Sequence, residues 1–141
     1  MAATTLFELV SPERLFFSQP VEMVVVPGTE GDFAAMPGHM PTIATVRPGV
    51  IVIFEDGKPK ERIFVAGGFA ELTEETCTVL AEEAELVSDL TLPIAEARLA
   101  GAAEAYGNIA AASEPEKLAI ETELAVASAM VAAANGETGY H

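Results

Sequence analysis

The chain changes its hydrophobic grammar near residue 90. Before that point apolar and polar positions alternate over short runs rich in Val, Ile, Phe and Thr. The stretches "FELV" (7–10), "LFFSQ" (15–19), "VEMVVV" (21–26), "TIATV" (42–46), "VIVIF" (50–54), "ERIFVA" (61–66) and "CTVLAEEAELV" (77–87) predict strands. Ser11-Pro12, Pro27-Gly28, Pro37-Gly38, Pro48-Gly49, Asp56-Gly57 and Gly67-Gly68 punctuate them. Asp56-Gly57, set between two apolar runs, predicts a tight hairpin. Gly67-Gly68 predicts a bulge or tight turn. Many short strands closely punctuated by turns imply an antiparallel sandwich or barrel.

From Leu92 onward there are no further strand patterns and alanine dominates. Thr91 stands where a helix cap is needed, with Pro93 in the first turn and Glu96 nearby, and Gly107-Asn108 offers a stop. Ser113, followed by Glu114, Pro115 and Glu116, opens a second helix over 114 to about 134, which Asn135-Gly136 ends. "ETGYH" reads as a frayed tail. The expected architecture is α+β and mostly β. Residues 1–88 form an antiparallel β-sandwich, and residues 89–141 an Ala-rich antiparallel two-helix hairpin with a short tail. Small side chains let helix axes approach closely but bury little area, at roughly 25 cal/mol per Å². Gly101 and Gly107 each cost about 1 kcal/mol relative to alanine. The hairpin is therefore expected to separate from the strand domain, or to need a partner to hold it.

Charge narrows the partners. Seven basic residues against 22 acidic ones give a net −15. A phosphate backbone or an anionic lipid surface repels such a chain, which argues against nucleic acid and direct membrane docking. Cys77 is the single cysteine, so it forms no internal disulfide and anchors no Cys-based zinc site. In "ETCTVL" it reads as a small buried strand residue. "MAATTLFELV" has no basic region ahead of an apolar run, so no secretory signal is expected. "LAVASAMVAAANG" is shorter than the roughly 20 residues that span a bilayer. A soluble or peripheral protein is the expectation.

Candidate chemistry is sparse. "MPGHMPTIATVRPG" (36–49) holds His39, one of only two histidines, among three prolines and two glycines. His39 has no sequence neighbour able to orient it, and His141 lies in the tail. Neither gives a metal-ligand spacing. "PGTEGD" lacks the Gly-Lys-Ser/Thr end of a phosphate loop, and "AGGFAEL" is no dinucleotide fingerprint. The acid runs "ELTEETC" and "AEEAEL" read as solvated strand faces. No catalytic residue, cofactor or metal is expected. Three classes of function stay open at this level: a subunit of a larger assembly, a free-standing small-ligand-binding sandwich whose Pro-Gly-His loop lines a pocket, and a hydrolase using His39.

One family is resembled over nearly the whole chain. "FELVSPERLFFSQPVEMVVVPGTEGDFAAMPGHMPTIATVRPGVI", with its Pro-Gly-His-x-Pro segment followed by Arg47-Pro48-Gly49, and "FVAGGFAELTEETCTVLAEEAE", with its Gly-Gly-Phe strand, resemble the epsilon subunit of bacterial F-type ATP synthases, called delta in mitochondria. The resemblance implies a small β-sandwich and two helices on the central stalk of the rotary motor. It performs no chemistry, and it couples rotation of the proton-driven c-ring to the alpha and beta subunits through gamma. It also implies a peripheral place on the cytoplasmic face of the bacterial inner membrane. By resemblance, Glu30, Gly31, Asp32 and His39 fall where the sandwich approaches the c-ring loops, and Phe33, Met36, Met40 and Pro41 are apolar candidates for gamma or ring contact. Pro37, Pro41 and Pro48 stiffen that surface before it binds.

Two family properties are not expected here. Inhibition of hydrolysis by an extended hairpin relies partly on basic residues meeting an acidic beta-subunit segment. Residues 93–141 carry only Arg98 and Lys117 against seven glutamates, a net −5. Self-inhibition should be weak. The family's ATP motif, Ile/Leu-Asp-x-x-Arg-Ala, is met by "IAEARL" only at Ile94 and Arg98, with Ala95 and Leu99 in place of the acid and the alanine. ATP binding is not expected.

Overall fold

A computed structural model of the chain describes residues 3–136. Ten strands are followed by two helices: β1 (Thr5–Val10), β2 (Leu15–Val21), β3 (Met23–Gly28), β4 (Gly31–Ala35), β5 (Thr42–Val46), β6 (Gly49–Glu55), β7 (Lys58–Val65), β8 (Gly68–Leu72), β9 (Thr76–Ala81), β10 (Ala84–Leu86), α1 (Leu92–Gly107) and α2 (Glu114–Ala134). Short 3₁₀ turns occupy Val87–Asp89 and Ile109–Ala111. The tail 137–141, with His141, lies outside the described residues.

Strands pair in the order β10-β7-β6-β3-β5-β8-β9-β1-β2, with β4 also on β3. The path narrows to a single residue pair, Gly28 opposite Val46, between β3 and β5. There the sheet folds over, giving two layers: β10-β7-β6-β3-β4 and β5-β8-β9-β1-β2. The pairing of β1 with β9 is parallel, and the other strand pairs are antiparallel. Between the layers lies the main core. Val24, Val26, Ile51, Ile53, Ile63 and Val65 come from one layer, and Phe7, Leu9, Ala70, Leu72, Cys77 and Val79 from the other. Alternation sorts these inward residues from outward ones, since successive side chains point to opposite faces. The fold class expected from the sequence is the fold observed.

The two runs without alternation, Val50–Ile53 and Ile63–Ala66, are covered on both faces. Ile51, Ile53, Ile63 and Val65 face the sandwich interior. Phe64 and Ala66, with Val50 beside them, meet Ala95, Val126, Met130 and Ala133 of the hairpin in a second core. The hairpin thus lies on the outer face of the β6-β7 layer. Between the two helices runs a shallow groove lined by Ala97, Gly101, Ala102 and Ala105 of α1 and by Ala119 and Ile120 of α2.

Four local expectations are corrected. "GDFAA" forms β4, a strand that the alternation reading did not pick out, whereas "GFAEL" forms β8, the Gly-Gly-Phe strand that the resemblance implied. The long run 77–87 is two strands, broken at Glu82-Glu83, so that β10 can cross to β7 in the other layer. Gly67-Gly68 leads into β8, where a Cβ on Gly68 would stand 1.9 Å from the Leu80 carbonyl oxygen. Thr91 occupies the N-cap position of α1 without a side-chain cap bond, and no acid lies in that first turn. Ser113 does cap α2, accepting from the Glu116 N–H at 3.4 Å. Asp56 and Gly57, both at positive φ, form the tight β6–β7 hairpin.

Candidate functional site

The Pro-Gly-His loop is a fastened structure. The Gly38 N–H donates to the Glu74 carbonyl at 2.8 Å, tying the loop to the β8–β9 turn, and the His39 N–H closes a turn on the Met36 carbonyl. The His39 Nδ1–H donates to the Met40 carbonyl at 2.8 Å. A carbonyl only accepts, so this bond fixes the proton on Nδ1 in the neutral ring. The imidazole is spent on shaping its own loop, with Thr42 Oγ1 donating to the same carbonyl at 3.2 Å.

Beside the loop, the β3–β4 hairpin is braced by Arg47. Its Nη1 donates to the Gly28 carbonyl and its Nη2 to Asp32 Oδ1, each at 2.6 Å. Its N–H donates to the Pro27 carbonyl, and the Thr29 N–H to the Thr45 carbonyl, both at 2.9 Å. The basic residue of "RPG" thereby holds the acidic tip rigid. The result is a concavity of about 540 Å³ whose wall includes Glu30, Gly31, Asp32, Phe33, His39 and Ile43.

Five of the eight sequence-predicted interface residues therefore come together: Glu30, Gly31, Asp32, Phe33 and His39. Met36, Met40 and Pro41 do not line the concavity. They stand in solvent beyond the loop, Met40 being 78% exposed. Phe33 is half-buried and packs on the main core, so its ring serves the fold as well as the wall.

A second surface was not legible in the sequence. On the outer face of the β5-β8-β9-β1-β2 layer, Phe69 pairs with Leu80, Leu80 with Val10, and Val10 with Leu15. Residues paired across strands share a face. The four side chains form an apolar row, with Leu15, Leu80 and Phe69 exposed by 55%, 55% and 58%. The adjoining row is polar, Glu8, Thr78 and Glu71 in register, and ends at the exposed Ile43 of β5. The signal lay in "GFAEL" and "TVLA", where apolar residues occupy consecutive positions, as they do in β6 and β7. Those strands are covered on both faces; this row is not. Contiguous apolar exposure rimmed by polar residues marks an interaction surface.

Ile94 and Arg98 lie on α1. Ile94 is exposed, and Arg98 is engaged by two carboxylates, Glu83 and Glu123. Cys77 is fully buried, and burial pushes its thiol pKa up to about 12, so it is no nucleophile. Among the described residues, no group of three or more His, Cys, Asp or Glu side chains is placed to hold a metal ion. No described helix is long and apolar enough to cross a membrane. What the geometry offers is two surface features, a concavity with two acids in its wall and an exposed apolar row.

Residues 4–87 match the family of the ATP synthase Delta/Epsilon chain, beta-sandwich domain. The ATP synthase epsilon chain of Rhodospirillum rubrum is 57% identical over 136 residues, covering 96% of this chain and 100% of that one. That of Paramagnetospirillum magneticum is 53% identical over 133 residues, covering 94% and 98%. Among solved structures, a chain of the Euglena gracilis mitochondrial ATP synthase, resolved with OSCP, F1 and c-ring, shares the fold. Its TM-score is 0.75 at 21% identity, over 93% of this chain and 81% of that one. A chain from the central stalk and c-ring of the Tetrahymena thermophila mitochondrial enzyme superposes with a TM-score of 0.62 at 10% identity, over 92% and 96%. With the sandwich matched by the family model and both halves covered at this identity by epsilon chains, the protein belongs to the ATP synthase delta/epsilon chain family.

Proposed function

We infer that this chain couples rotation of a c-ring to ATP synthesis through a gamma subunit, as the central-stalk subunit of an F-type ATP synthase. It is a subunit of that enzyme complex and not one of its catalytic chains. One observation carries the inference: an epsilon-type chain that leaves a row of apolar side chains uncovered beside a braced acidic concavity. A coupling subunit must hold one partner firmly and meet another at a rigid edge.

The row Phe69-Leu80-Val10-Leu15 is the surface assigned to gamma, because apolar burial there supplies affinity without charge matching. The wall Glu30-Asp32-His39, with Met36, Met40 and Pro41 beyond it, is the surface assigned to the c-ring loops. Exposed ion pairs at such a rim are worth about 0–1 kcal/mol each, so shape and pre-ordering by Arg47 and the prolines matter more than any one pair. The chain sits peripherally on the cytoplasmic face of the inner membrane, assembled with alpha and beta. Proton coupling is the default for the family.

The test is affinity purification of the tagged chain from gently solubilised native membranes, with a photo-crosslinker placed in turn at Phe69 and at His39. Recovery of alpha, beta, gamma and c subunits, with gamma crosslinked from Phe69 and c from His39, is expected. Recovery of the chain alone, leaving assembled ATP synthase behind, overturns the assignment. Adding the chain to a hydrolysing complex that lacks it, at low salt, is expected to inhibit hydrolysis only weakly; strong inhibition refutes the charge reasoning.

A further inference from the structure

Arg98 of α1 serves three segments at once. Its Nε and Nη2 donate to the two carboxylate oxygens of Glu123 on α2, at 2.7 and 2.9 Å. Its Nη1 and Nη2 donate to those of Glu83, in the β9–β10 turn of the sandwich, at 2.8 and 3.2 Å. Both pairs are forked, the geometry in which a guanidinium binds a carboxylate most specifically. The apolar contact beneath mixes alanines with larger side chains: Ala95, Val126, Met130 and Ala133 on Phe64 and Ala66. Apolar burial is non-directional, so this contact supplies affinity while directional bonds fix the docked position. Helices of this length are marginal alone in water, yet the two share their own seam.

We propose that Arg98 is the latch of the hairpin. Its bond to Glu83 fixes the hairpin on the sandwich, while its bond to Glu123 holds the two helices together and aims the guanidinium. Docking is then an equilibrium separate from the folding of the sandwich. Breaking the Glu83 arm alone releases an intact hairpin. Ions that screen the carboxylates weaken the latch.

Three side chains already present report on this. Met130 lies in the docked interface at 4% exposure, Met40 stands in solvent, and Cys77 is sealed in the sandwich core. Peroxide oxidation of the full chain, followed by mass spectrometry, gives the Met130 rate relative to Met40. Alkylation of Cys77 monitors the sandwich. Glu83→Ala and Arg98→Gln are each expected to raise the relative Met130 rate about tenfold or more, the effect of losing charge-assisted hydrogen bonds, with Cys77 still protected. Raising salt from about 0.05 to about 1 M should speed Met130 oxidation in the parent chain and not in Arg98→Gln. Lys117→Gln, which removes an ion pair with Glu114 inside α2, should change nothing. Unchanged Met130 protection in both latch variants overturns the assignment. So does simultaneous exposure of Met130 and Cys77, which would make the chain one cooperative body. No partner enters these measurements, so their outcome is independent of the stalk role.

Discussion

Replacing Phe64 with alanine separates the two cores. Phe64 is fully buried, but its strand neighbours Ile63 and Val65 face the sandwich interior while it faces the hairpin. Among the described residues it is the one large aromatic in an interface otherwise made of alanines, valines, a methionine and a leucine. Truncating a buried phenylalanine to alanine costs about 3–5 kcal/mol through lost transfer energy and the cavity left behind. That sum falls on hairpin docking, since the main core, with Phe7 and Leu9, is untouched. Phe7→Ala, an equal truncation in the main core, places the same cost on the sandwich. Urea unfolding followed by far-ultraviolet circular dichroism reads the helices, and Cys77 alkylation at each urea concentration reads the sandwich. At a slope of about 2 kcal/mol per molar, 3–5 kcal/mol corresponds to a midpoint shift of roughly 2 M. In Phe64→Ala the helical transition should move by that order and the Cys77 transition much less. In Phe7→Ala the Cys77 transition should move most. If both probes stay coincident and both variants shift them equally, the two cores are one cooperative unit and the reasoning fails.

Three further outcomes follow from the same packing. Phe69→Glu combined with Leu80→Glu should leave the isolated chain within about 1 kcal/mol of its parent stability, because both positions face solvent, while abolishing its recovery with ATP synthase; thermal melts and pull-downs check both parts. Glu123 has its carboxyl held below the usual range by hydrogen bonds from Arg98, against the opposing effect of burial. A depressed folded pKa gives stability that is present above the unfolded value, about 4.3, and lost as pH falls through the folded one. Met130 protection should therefore be flat from pH 7 to about 5 and decline in more acid solution, and Glu123→Gln should remove that contribution to the decline. Gly68→Ala should destabilise the sandwich by about 2 kcal/mol or more, since its φ of +146° disfavours a side chain and the Leu80 carbonyl blocks the Cβ; urea unfolding measures it, and a neutral result would show that β8 and β9 can part without cost.

The local grammar of this protein was legible from its sequence. Alternation placed Phe7, Leu9, Cys77 and Val79 inside, Asp56-Gly57 specified a tight hairpin, and Ser113 and Asn135-Gly136 bounded the second helix. Each depends on neighbours within a few residues, which is where periodicity and turn chemistry act. What periodicity missed depends on a distant strand: the run 77–87 breaks because β10 must cross to β7 in the other layer. The resemblance implied the "GFAEL" strand, and the structure shows why glycine stands there, with Gly68 lying against the Leu80 carbonyl. The site divides in the same way. The resemblance marked Glu30, Asp32, Phe33 and His39, and folding assembled them into one wall braced by Arg47. The apolar row of Phe69, Leu80, Val10 and Leu15 draws on four separate strands and exists only through register. Likewise, sequence marked Arg98 as the remnant of a nucleotide motif; the tertiary structure alone brought Glu83 and Glu123 to it, because carboxylates 15 and 25 residues away meet a guanidinium only once the hairpin has been laid on the sandwich.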